Sequence, residues 1–174
     1  MKLAVEKLEA GYQGKTVVKD VSFTVEKGEF ISLIGPSGCG KSTVLKVLAG
    51  LLEPMAGTIM VDDAPLQGGS RHFSYMPQSD LLLDWYDILD NVCLYGKIHG
   101  KKKEAQQQAL ENLKEFGLAG YEHAYPSQLS GGMRQRAAFL RTALCDSDIL
   151  LLDEPFGALD VITREDMQDW LNRM

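Results

Sequence analysis

The run Gly35, Pro36, Ser37, Gly38, Cys39, Gly40, Lys41, Ser42 constrains this chain more than any other stretch, because it fits GxxxxGK[ST]. Glycines at these spacings let backbone amides wrap a phosphate, and the positive end of a following helix faces the same anion. In that motif Lys41 reaches the β and γ phosphates and Ser42 ligates Mg²⁺, so the candidate nucleotide contacts run from Gly35 through Thr43. Such a loop belongs between a strand and a helix. Phe30, Ile31, Ser32, Leu33 and Ile34 read as the strand, and Val44, Leu45, Val47 and Leu48 have helical spacing. Gly50 closes that helix, with Pro54 beyond it.

The surrounding pattern is α/β with a helical insertion. Val21, Phe23 and Val25 alternate with Ser22, Thr24 and Glu26, and Lys27 with Gly28 turns the chain. Residues 58–61 and 72–76 are further strand-like runs, and residues 88–144 read as helical, with Ala109, Leu113 and Phe116 on one face and Gly117 as a stop. A buried strand, Ile149–Leu152, follows. Thr163 with Asp166 offers a capping box for a last helix carrying Met167, Trp170, Leu171 and Met174. With no repeat or Pro/Gly/Ser linker, 174 residues suit one domain, with a helical lobe at about 80–145.

Composition narrows the partners. No apolar run approaches the roughly 20 residues of a spanning helix, so a membrane role has to come through another protein. The first residues reach Glu6 too soon for a signal peptide, which points to the cytoplasm. A net charge of −6 with dispersed Lys and Arg gives no footprint for nucleic acid, and Lys101, Lys102 and Lys103 read as the start of a solvated helix. Cys39, Cys93 and Cys145 lack CxxC spacing and an even count, against a zinc site or a disulfide framework.

Two further stretches carry chemistry. The apolar strand Ile149–Leu152 ends in Asp153, able to hold Mg²⁺ through water, and Glu154, able to act as general base on an attacking water. Ser130, Gly131 and Gly132 precede a helical run, making a second helix N-terminus that can grip an anion; a simple Ser cap would explain Ser130 but not two consecutive glycines.

The stretch Leu129, Ser130, Gly131, Gly132, Met133, Arg134, Gln135 resembles the signature of ABC transporter ATP-binding subunits, and other motifs of that family fall in order around it. The resemblance implies Tyr12 as the aromatic that stacks on adenine and Gln78 as the residue touching Mg²⁺ or the attacking water. It makes Asp153 and Glu154 the Walker B pair, and Ala158, Leu159 and Asp160 the D-loop. Ser130, Gly131, Gly132 and Gln135 would act in trans on the nucleotide of a second, identical subunit. Its fold would be a P-loop core with an N-terminal antiparallel β lobe and a helical lobe. An integral membrane permease would be the partner at the cytoplasmic face, with an external binding protein acting indirectly. Tyr12 also fits a hairpin tyrosine, and Gln78, after Pro77, also fits a plain turn.

Met133 departs from the commonest signature but is similar to the branch that energises import of nitrate, sulfonates, taurine and thiamine precursors. Leu81, Leu82, Leu83, Trp85 and Tyr86 stand where that family receives its membrane partner, and fit either a docking patch or core. The family's switch histidine lies beyond the D-loop, yet no histidine follows His123. The resemblance therefore implies a C-terminally truncated core, with a sheet lacking the strand between residues 30–34 and Ile149–Leu152, and little independent turnover. A soluble, non-transport ABC ATPase is the alternative from another class, disfavoured by the single domain.

Overall fold

The structure is a computed structural model that describes residues 2–66, 71–157, 168, 170 and 171. It divides into two compact units, one of residues 1–75 and 147–153, the other of residues 76–146 and 154–174.

The first unit is built on alternation. Strands β1 (Leu3–Tyr12), β2 (Lys15–Val25), β3 (Ala56–Val61) and β4 (Ala64–Pro65) form an antiparallel sheet in the order β2-β1-β3-β4. Tyr12 faces Lys15 across a hairpin whose two linking residues, Gln13 and Gly14, both take positive φ, the geometry that matches the twist of paired strands. Helix α1 (Lys41–Leu48) lays Val44, Val47 and Leu48 into one core with Leu3, Val5, Leu8, Ala10, Ile59 and Val61. Gly50 ends α1: its amide and that of Leu51 return to Val47 and Lys46. Strands β5 (Phe73–Met76) and β6 (Ile149–Leu152) pair in a second sheet, and Leu151 joins the same core.

One expected strand does not form. Residues 30–34 enter neither sheet, and Phe30, Ile31 and Ile34 are 75%, 41% and 93% exposed. Their composition favours a strand, but a strand persists only where a neighbour takes up its backbone groups. Among the described residues none does, so the expected strand is absent.

The second unit contains α2 (Ile88–Val92), α3 (Leu94–Ile98), α4 (Lys102–Glu115) and α5 (Gly131–Ala143), with a 3-10 turn at Pro126–Gln128. Ala109, Leu113 and Phe116 are buried as their spacing requires. Gly117 takes φ 62° and its amide bonds Lys114, while Leu118 bonds Leu113, so the helix ends where glycine alone adopts the turn without strain. Phe139 of α5 sits among the rings of Phe116 and Trp170, at 5.7 and 5.6 Å between centroids. Thr163, Asp166 and Met167 of the expected last helix lie outside the described residues.

Candidate nucleotide site

The loop of residues 35–40 is exposed apart from a half-buried Gly40, and leads directly into α1. Gly40, at φ 104°, caps that helix with no side-chain hydrogen bond, and a Cβ there would meet Val18 Cγ2 at 2.6 Å. The first amides of α1 therefore point out of the helix without an intrahelical acceptor, the arrangement that receives an anion. Lys41 lies back across the loop, its Nζ donating to Gly35 O at 2.8 Å and Pro36 O at 3.0 Å, with Cys39 Sγ at 3.9 Å. Ser37, Gly38 and Cys39 are exposed, and Thr43 is buried in the first turn.

Ser42 and Asp153, far apart in sequence, meet: Ser42 Oγ donates to Asp153 Oδ1 at 3.0 Å. Asp153 is 5% exposed at the end of β6, and Tyr75 OH donates to its other oxygen at 3.3 Å. Burial, and then the Asp153 charge, push the Tyr75 phenol up to about 12, so it remains a donor at neutral pH. Nothing local in the sequence marks Tyr75, a strand tyrosine whose partner is 78 residues away. Tyr12, at the open end of β1, keeps 44% of its surface exposed.

In the second unit Gln78 Nε2 donates to Glu154 Oε2 at 2.9 Å, joining the two side chains expected to handle water. Glu154 follows Asp153 directly and takes φ 52°, a left-handed conformation costing a non-glycine residue on the order of 1 kcal/mol. Ser130 caps α5 by accepting from Met133 N at 3.3 Å, with Ser130 and Gly131 exposed and Gly132 half-buried. Gln135 is buried within its own unit, and Asp160 lies outside the described residues.

Arginines given no role in the sequence reading fasten the turn after Gln78 to α5. Arg134 Nε donates to Asp80 Oδ2 at 3.1 Å and its Nη1 to Leu129 O at 2.8 Å. Arg141 donates to Asp80 O and Leu81 O, both at 2.7 Å. Leu81 and Trp85 stand 60% and 71% exposed on this turn, whereas Leu82 is buried.

A glycine loop opening a helix, with its serine bonded to a carboxylate at a strand end, defines a phosphate-loop nucleotide-binding protein. This chain belongs to the ABC transporter family, whose ABC transporter domain it matches over residues 18–157. It is 46% identical over 170 residues to the taurine import ATP-binding protein TauB of Yersinia pestis, covering 97% of this chain and 67% of that one. To the aliphatic sulfonates import ATP-binding protein SsuB 1 of Rhodococcus jostii it is 49% identical, covering 94% of this chain and 63% of the relative. To the formylaminopyrimidine import ATP-binding protein ThiZ of Halalkalibacterium halodurans it is 45% identical, covering 99% and 68%. The chain thus spans about two thirds of these relatives' length. Among solved structures, a dimeric post-hydrolysis state of the ATP-binding cassette MJ0796 bound to ADP and Pi superposes with a TM-score of 0.85 at 29% identity, covering 97% of this chain and 81% of that one.

Proposed function

We propose that this chain is the ATP-binding and ATP-hydrolysing subunit of an importer for a small solute of the taurine, sulfonate, nitrate or thiamine-precursor type. The observation that carries this reading is the Ser42–Asp153 hydrogen bond beneath an uncapped helix N-terminus, because it joins a phosphate grip to a buried carboxylate. Residues 1–174 act as one nucleotide-binding domain. Loop amides and Lys41 hold the phosphates, Tyr12 offers its exposed ring to the base, and Glu154 accepts the proton of a water that Gln78 orients. The donor set fits Mg²⁺: a hydroxyl and one carboxylate are the hard oxygens this ion takes beside substrate phosphates. Ser42 and Asp153 would hold it, and when bound it would neutralise phosphate charge.

Support for an assembled form comes from the dimeric relative and from the exposed, serine-capped start of α5. Ser130, Gly131, Gly132 and Gln135 serve the nucleotide of a second copy, and Asp160 is the D-loop residue that the resemblance implies. The Leu81 and Trp85 surface receives a membrane permease, which places the chain at the cytoplasmic face. No helix among the described residues is long and apolar enough to cross a membrane itself.

Lys41→Ala is expected to weaken MgATP binding about a hundredfold, by loss of a charge-assisted phosphate contact. Glu154→Gln should bind normally and turn over at least a hundredfold more slowly. Calorimetric binding and steady-state phosphate release measure the two, and equal loss of binding in both variants would refute the assigned roles. A second reading, nucleotide binding without independent turnover, is favoured by the unpaired residues 30–34. Turnover by residues 1–174 that Glu154→Gln abolishes would reject it.

A further inference from the structure

The carboxylate of Asp153 is held in an unusual way for a buried charge. Both oxygens are occupied by neutral hydroxyls from two different elements, Ser42 Oγ of α1 on Oδ1 and Tyr75 OH of β5 on Oδ2. Such donors fix the plane of a carboxylate without cancelling its charge, and among the described residues no ion pair reaches it. The negative charge is left for a cation. Ser42 is itself assigned to that cation, so its bond to Asp153 is one that cation binding exchanges. Tyr75 packs its ring against the core of the first unit and gives its hydroxyl to Asp153.

We propose that Tyr75 is a positioning residue, holding Asp153 in the orientation from which it serves the divalent cation of the nucleotide site. The inference rests on the reading of residues 35–43 and Asp153 as that site. Support comes from geometry: the phenol is half-buried, rises from the strand beside β6 and reaches the oxygen that Ser42 does not. Partners that orient a metal-bearing side chain commonly alter metal affinity about tenfold or more when removed.

The test is calorimetric ATP binding to the 174-residue chain, in excess Mg²⁺ and in EDTA, for wild type, Tyr75→Phe and Ser74→Ala. Ser74 lies on the same strand and accepts from Ser147 Oγ at 2.8 Å, so its variant reports general damage to β5. Tyr75→Phe is expected to lose about tenfold of the affinity that Mg²⁺ adds, while its binding in EDTA stays within about twofold of wild type. Ser74→Ala should keep the full Mg²⁺ gain. A wild-type gain that Tyr75→Phe retains overturns the inference alone. So does equal weakening with and without Mg²⁺, a matching loss in Ser74→Ala, or failure of Tyr75→Phe to fold, each of which makes Tyr75 a structural residue only. Absence of ATP binding by wild type in both conditions overturns the reading of the site, and the inference with it.

Discussion

Residues 35–40 and residues 80–87 are both irregular segments that lead into helices, but they are finished in opposite ways. In the second segment every turn is tied. Asn91, fully buried, donates to Leu83 O, Tyr86 O and Asp87 O and accepts from Leu83 N, while Asp80 and Leu81 are held by Arg134 and Arg141. Asp87 caps α2 through Asp90 N at 2.7 Å. The first segment has an uncapped helix end, one weak backbone turn from Cys39 N to Pro36 O at 3.3 Å, and a lysine folded onto its own carbonyls. Satisfied polar groups make a rigid platform, whereas donors left facing solvent make a receptor. The contrast separates what must hold shape from what must accept a ligand.

Stability measurements press this contrast hardest. Asn91→Ala leaves Leu83 N and Tyr86 O without their partner and is expected to cost about 3 kcal/mol in urea unfolding. Ile34→Ser, on the unpaired run, should stay within about 0.5 kcal/mol of wild type. Comparable losses in the two variants would mean that residues 30–34 are packed in solution.

Thiol chemistry sharpens it next. Cys39 is exposed in the phosphate loop, whereas burial pushes the Cys93 thiol up to about 11 and raises that of Cys145. Maleimide at neutral pH is expected to label Cys39 first, at least tenfold faster than Cys93, to block nucleotide binding, and to be excluded by MgATP. Mass spectrometry of the labelled peptides decides it, and labelling indifferent to saturating MgATP would break the loop assignment.

The smallest effect concerns the rigid segment. The Asp87 carboxylate accepts from His123 at 3.0 Å and raises the imidazole above its ordinary value of 6.5. Because the folded value lies higher than the unfolded one, the stabilisation is full below about pH 6.5 and is lost as pH rises through the folded value. His123→Gln should therefore lower the melting temperature slightly at pH 6 and leave it unchanged at pH 9. A difference that grows with pH would reverse the sign of the linkage.

Legibility in the sequence followed the range of the interaction. The helix that follows residues 35–40, the closing glycines Gly50 and Gly117, the hydrophobic face of α4 and the strand Ile149–Leu152 are all encoded by neighbours in the chain, and all are present. Residues 30–34 carry equally clear strand composition, but a strand is a relation between two segments and no partner is present among the described residues. Tyr75 with Asp153, and Arg134 with Asp80, are bonds across 78 and 54 residues that no local pattern announces. The buried position of Gln135 likewise depends on what packs over α5.

The folded-back lysine changes how affinity at the loop has to be counted. Lys41 already donates to Gly35 O and Pro36 O, so an arriving phosphate competes with internal acceptors and does not fill a vacancy. What the contact contributes is the difference between an ammonium on two amide oxygens and the same ammonium on an anion, a gain in charge assistance and no new bond. Ionic strength, which screens the second arrangement more than the first, should therefore set the exchange equilibrium. The loop's own carbonyls are in this sense rivals of a phosphate for Lys41.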